Sequence, residues 1–309
     1  MPTKMLGLAL SGGGFRASFF HIGVLAQMAR LGILRKVEVI STVSGGSIIG
    51  AQYFLHVKKL LEGKVIDDVE DKDYLDIVHE IEKDFLKAVQ KNFRMRTFLN
   101  LFKNIKMTKA NYSRSDRIAE LYDEELYRNV ADDKREKRIQ MDEIEIKPIA
   151  GQQDSEPDED PDTKVPILLI NATTLNSGHN WRFEVTTMGE PEIQSDLYKQ
   201  IDKNLQLLRP QYYDEIESER RNIGLGIAVS ASACVPGLFP PLAISDLYPD
   251  DIRVELVDGG VHDNQGIQGL IDKNCTQFVI SDASGQMKDE LDPEIFGTFV
   301  KVMAAQAQT

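Results

Sequence analysis

The sequence predicts an α/β fold: a three-layer, mostly parallel sheet with helices on both faces and a helical insertion. Three observations carry this. Through the first 60 residues, short apolar runs alternate with helical periods in the order strand, loop, helix, strand, turn, helix, the βαβα order that builds parallel sheets. Residues from about 65 to 149 are charged, helical in period and nearly free of glycine, and apolar runs return after residue 164. Glycines stand where the apolar runs end, at Gly12-Gly13-Gly14, Gly45-Gly46 and Gly259-Gly260.

Met5–Leu10 is short and apolar and reads as the first strand. From Phe15, the residues Ala17, Phe20, Val24, Met28 and Leu31 recur at three- and four-residue steps, a buried helix face that Gly32 ends. Val37–Val43 is the second strand and Ile48–Leu61 the second helix. Beyond the insertion at 65–149, Val165–Ile170, Trp181–Thr187, Ile252–Val257 and Gln277–Ser281 read as strands. Groups with chemistry gather where parallel strands end, so the site is expected at that edge.

The 309 residues are read as one catalytic domain, 1–309, since a sheet of this type absorbs such a length. The net charge of −13 argues against nucleic acid as a partner, because phosphate binding needs basic surface. Part of that charge lies in a proline-broken acidic tract at 151–164, read as a solvated, mobile loop. Cys234 and Cys275 form no disulfide framework, which favours a reduced, cytoplasmic setting. No run reaches the roughly 18 apolar residues of a membrane span, and no ligand spacing calls for a metal. The pattern breaks off in mid-course at Thr309, suggesting sequence beyond it.

Ser44 stands between an apolar run and two glycines that open a helix. A strand, a sharp turn and a helix at that point lift a hydroxyl above the sheet end and aim the next amides at the same space, the geometry of a nucleophile elbow. The Gly12-Gly13-Gly14 loop, also between strand and helix, offers free amides at a helix N-terminus. Gly12, Gly14 and Ala17 fit the loose dinucleotide pattern G-x-G-x-x-G/A, but Ser41, Thr42 and Val43 stand where its acidic residue is expected. An oxyanion hole built from Gly12, Gly13, Gly14 and Gly45 explains both loops together. For the base, Asp258 follows a strand and precedes two glycines, while His21 and His262 keep a Ser-His-Asp arrangement open.

Gly12-Gly13-Gly14-Phe15-Arg16, the turn at Ser44, Asn171–Leu175, the run from Ala231 to Pro241 and Asp258-Gly259-Gly260 together resemble the motifs of the patatin-like phospholipases. These are serine–aspartate lipid acyl hydrolases related in fold to cytosolic phospholipase A2. The resemblance implies a patatin-like fold, Ser44 as nucleophile, Asp258 as base, the glycine loop as oxyanion hole, Arg16 in support, phospholipid or another acyl ester as substrate, and no cofactor. Fused or regulatory modules are a further implication. One departure is Thr42, which stands where the family's elbow has a glycine. A non-catalytic lipid-binding module and a small-ester or protein acyl hydrolase stay open beside the phospholipase.

Phe85–Lys109 carries seven basic residues and no acidic one, interleaved with Phe93, Phe98, Leu99, Phe102 and Ile105. Two readings compete: peripheral contact with an anionic membrane, or a cap packing its apolar side on the domain.

Overall fold

The computed structural model describes residues 4–91, 113–131, 137–149, 163–192, 208–216, 223–249 and 251–285. Strand β1 (Leu6–Leu10), helix α1 (Gly14–Arg30), β2 (Val37–Val43) and α2 (Gly45–Gly63) follow in the predicted order. Helix α3 (Asp71–Val89) opens with a reciprocal cap between Glu70 and Asp73. Helix α4 (Arg114–Tyr122) opens with one between Ser113 and Asp116, and runs on through a π turn at Asp123–Tyr127 to Ala131. Strands β3 (Ile167–Thr174), β4 (Asn180–Phe183), β5 (Thr187–Gly189) and β6 (Gln211–Tyr212) come next. Helix α5 (Leu225–Ser232), β7 (Leu242–Ile244), β8 (Val254–Asp258), α6 (Gly260–Asp263), α7 (Ile267–Asp272) and β9 (Gln277–Ser281) complete the described chain.

The centre of the sheet is parallel: β9 pairs with β1, β1 with β2 and β2 with β3. An antiparallel wing, β4-β5-β6, continues beyond β3. Side chains alternate across the pleat. Leu8, Leu10, Ile40, Leu168 and Ile170 face a large helical layer in which α1 to α5 share one apolar core. Ala9, Val39 and Leu169 face the other way, onto Leu270 and Cys275 around α7.

Val65 and Ile149 meet in an isolated bridge, so the chain between them leaves and returns at one point. Its described helices do not stand apart. Phe85, Leu121, Tyr122 and Tyr127 are buried in the same core as α1 and α2, and 137–149 is largely irregular. Phe85, which its sequence groups with the basic aromatic segment, is fully buried against Phe15 and Phe19. Lys91 pairs with Glu125. The rest of that segment, 92–109, and nearly all of the acidic tract lie outside the described residues.

Two strand expectations are corrected. Trp181–Thr187 is two strands, because the chain turns back at Glu184–Thr187 into a hairpin. β8 is not one of the parallel strands: it runs antiparallel to β3, and this reversal builds the site.

Candidate active site

Strand β3 is longer than its neighbour β2. Its first part pairs with β2 as far as Val43 against Asn171, and its last part pairs with β8 from Asp258 against Ala172. Since β2 is parallel to β3 and β8 antiparallel, the two strands approach each other end to end along the same side of β3. Ser44, the residue after Val43, and Asp258, the last of β8, are thereby delivered to one place from opposite directions.

A head-on junction interrupts the ladder, and polar side chains bridge it. Asn171 donates through Nδ2 to Thr42 O and Ser41 Oγ, both at 3.0 Å. Thr173 Oγ1 donates to the Asp258 carbonyl at 3.0 Å. Ser232, at the end of α5, donates to Asn171 O at 2.5 Å and accepts the Ser44 amide at 3.0 Å. The carbonyls of Ser232 and Cys234 accept the amides of Gly259 and Asp258 at 3.1 and 2.9 Å. Buried backbone groups at an interrupted ladder need such partners.

Ser44 has φ 50° and ψ −116°, a strained conformation for a residue with a side chain and the mark of an elbow. It is 4% exposed. Close packing forces the turn: a Cβ on Gly45 would lie 2.1 Å from Gly14 O, so the serine turn and the glycine loop touch backbone to backbone. Ser18 tethers the pair from α1, donating to Gly45 O at 2.7 Å.

The glycine loop arches over the serine, with the Cβ position of Gly12 3.3 Å from Ser44 Cβ. Gly13 and Gly14 have φ 139° and 62°. The amides of Gly13, Gly14 and Gly45 find no acceptor among the described residues. Gly12 differs from its expected role. Its amide is already committed to the Asn264 carbonyl at 2.9 Å, so this position supplies close approach and no donor. Asn264, which nothing in the sequence flagged, lays its side-chain oxygen against both Gly12 and Gly260. Arg16 donates to the Ala283 carbonyl at 3.0 Å, tying the start of α1 to the segment after β9.

Burial pushes the Asp258 carboxyl up to about 6, opposed by its interaction with the Ser44 hydroxyl and by the Gly260 amide, which donates to Oδ1 at 2.8 Å. The other oxygen, Oδ2, is buried and accepts no well-formed hydrogen bond, so the approach of the Ser44 hydroxyl to the carboxyl is a loose contact.

Neither histidine occupies this position. His21 is buried, its ring nitrogens engaged by Ser281 Oγ at 2.7 Å and the Ser11 carbonyl at 2.9 Å. His262 is exposed and meets the Gly178 carbonyl at 3.3 Å. Cys234 and Cys275 are both free and buried, and burial pushes the Cys234 thiol up to about 12. Among the described residues, no group of three or more His, Cys, Asp or Glu side chains is placed to hold a metal ion. No helix among them is long and apolar enough to cross a membrane.

A strained serine between strand and helix, under a glycine loop and beside a buried carboxylate, places this fold among the α/β proteins built around a serine elbow. The family model for patatin-like phospholipases matches residues 8–271. The chain therefore belongs to the patatin-like phospholipase family, a family of lipid acyl hydrolases. No curated protein matches the sequence significantly. Among solved structures, human GIVD cytosolic phospholipase A2 in complex with methyl gamma-linolenyl fluorophosphonate is similar at 16% identity and TM-score 0.37, over 60% of this chain and 24% of that one. VipD from Legionella pneumophila is similar at 14% identity and TM-score 0.33, over 84% of this chain and 46% of that one. The chain thus spans less than half of either structure's length.

Proposed function

We propose that this protein is a phospholipase A-type hydrolase that cleaves acyl esters of phospholipids through Ser44 and Asp258. The observation that carries the reading is the end-to-end meeting of β2 and β8, which sets a strained serine beside a buried carboxylate whose pKa is raised to about 6. A base poised near the working pH is ionised there and still accepts a proton readily.

Asp258 Oδ2 takes the proton of Ser44 Oγ as that oxygen attacks the ester carbonyl carbon. The amides of Gly13, Gly14 and Gly45 stabilise the tetrahedral oxyanion. Collapse breaks the bond to the alcohol, which leaves with the proton from Asp258, and the acyl group stays on Ser44. Water then gives a proton to Asp258 and attacks the acyl-enzyme. The second collapse releases the fatty acid and returns the proton to Ser44. Arg16 orders the strand-to-helix loop through Ala283 in this scheme.

The test is release of fatty acid from mixed phospholipid vesicles by the wild type, Ser44→Ala and Asp258→Asn. Turnover by the wild type that both substitutions abolish, with folding intact, supports the dyad. Substantial activity in Asp258→Asn removes it. Vesicle binding without turnover in the wild type leaves a lipid-binding module, and turnover confined to soluble short-chain esters leaves a small-ester hydrolase.

Peripheral contact with an anionic surface through the basic segment belongs to the same proposal. Anionic vesicles are then cleaved faster than neutral ones, and charge reversal at Lys91, Arg94 and Arg96 removes the difference. Equal rates throughout discard it.

A further inference from the structure

Behind the elbow, three hydroxyls lie in line between two carbonyls of β3, two residues apart. Thr42 Oγ1 donates to Leu169 O at 3.0 Å and Ser232 Oγ donates to Asn171 O. Ser47 Oγ lies between them, 2.9 Å from Thr42 Oγ1 and 2.8 Å from Ser232 Oγ, and its single proton serves one of the two at a time. Thr42, Ser47 and Ser232 are all fully buried. The Ser44 amide donates to Ser232 Oγ. The strained residue thus has its N–H fixed by a side chain at the point where β2 stops pairing. The carbonyl of Ser232 holds the Gly259 amide, next to Asp258.

We propose that Ser232 is a positioning residue for the reaction. Its hydroxyl pins the Ser44 amide in the strained elbow conformation, and its backbone fixes the turn after Asp258, so one residue sets the nucleophile against its base. The proposal rests on Ser44 being the nucleophile. Ser232 touches no reacting atom and contributes through placement, where misplacement on the order of 1 Å can cost about 100-fold in rate. Thr42 lies at the other end of the same group: the residue that departs from the family's elbow glycine offers an acceptor to the Ser47 hydroxyl that abuts Ser232.

The experiment measures kcat and KM for vesicle hydrolysis, the rate at which a fluorophosphonate labels Ser44, and thermal unfolding, for the wild type, Ser232→Ala and Ser232→Cys. In labelling, the serine oxygen displaces fluoride from phosphorus and its proton passes to the base. Cysteine keeps the approximate shape and replaces a strong acceptor by a weak one. The expected result is a fall in kcat of about 10- to 100-fold in both variants. KM stays within about twofold, labelling slows in parallel, and the acid limb of the pH profile stays where Asp258 sets it.

A folded Ser232→Cys protein with wild-type kcat and labelling overturns the proposal. So does a loss confined to stability, or the failure of both variants to fold, because the hydroxyl then serves only the core. A wild type that neither turns over nor labels at Ser44 overturns the hydrolase reading and this inference with it. A wild type that does both beside an unimpaired Ser232→Ala overturns this inference alone.

Discussion

The methyl group of Thr42 fills the space that a side chain on Gly50 would need: a Cβ built on Gly50 comes within 2.5 Å of Thr42 Cγ2. The β-branched residue at the elbow, which the sequence marks as a departure, is accommodated by a missing side chain on the facing helix α2. Its hydroxyl is accommodated too, between Ser47 and the Leu169 carbonyl.

Gly50→Ala is therefore expected to destabilise the fold, although alanine gains about 1 kcal/mol in helix propensity, because overpacking a fixed core costs typically about 1–3 kcal/mol. Adding Thr42→Ser, which removes only the methyl group, restores stability to the wild-type level or above. Urea denaturation of the three proteins checks the ordering.

Asp258 links activity to stability with opposite signs. A carboxyl raised from 3.8 to about 6 holds its proton more tightly in the folded state than in the unfolded one. Its stabilising contribution is present below pH 3.8 and lost as the pH rises through 6. At neutral pH the ionised group then costs on the order of 3 kcal/mol. Asp258→Asn should unfold at a higher temperature than the wild type at pH 7.5 and at a similar one near pH 3.5. Activity, which needs the ionised base, should fall below a midpoint near pH 6. A variant less stable than the wild type at pH 7.5 would contradict the assignment.

The buried histidines act in the contrary direction. Burial lowers His21 and His56 to about 4, so each remains neutral in the folded protein while its unfolded counterpart takes up a proton. Between pH 6.5 and 4, each should remove about 1.4 kcal/mol of stability per pH unit. His21→Gln should flatten that acid slope by about one proton, read from urea midpoints across the range. An unchanged slope would show that the ring is protonated when folded.

Gly45→Ala should abolish turnover. Its Cβ would meet Gly14 O at 2.1 Å, and the serine turn could form only by pushing the glycine loop away. The expected loss is on the order of 100- to 1000-fold in kcat, that of a missing oxyanion donor. Near-wild-type kcat in the folded variant would mean that the two loops need not touch.

Much of this was legible from local pattern. The βαβα start, with its helix ending at Gly32 and its serine turn, appears because apolar spacing and glycine breaks are properties of neighbouring residues. The direction of β8 was not legible, because five residues from Val254 to Asp258 carry no mark of which strand they pair with or which way they run. β3 extends to Thr174, four residues beyond the end of its apolar run at Ile170. The polar stretch Asn171-Ala172-Thr173-Thr174 does not look like a buried strand until its side chains are seen bridging two interrupted strand ends. Asn264 is hidden for the same reason, since its partner Gly12 lies some 250 positions away in the chain. Ser232 falls within the motif run from Ala231 to Pro241, but its bond to Ser44, some 190 positions away, is not legible there.

Because Val43 and Asp258 pair with consecutive residues of β3, the separation of Ser44 and Asp258 is indifferent to how much chain runs between them. Segments of any length can be threaded between α2 and β3, or between β3 and β8, so long as they return to the same rungs. The stretch closed by the bridge of Val65 and Ile149 is one such excursion. A shift of β8 by a single residue along β3 would instead turn Asp258 to the opposite face of the sheet. The connections around the junction can thus vary in length, while the pairing of Val43 with Asn171 and of Asp258 with Ala172 cannot shift.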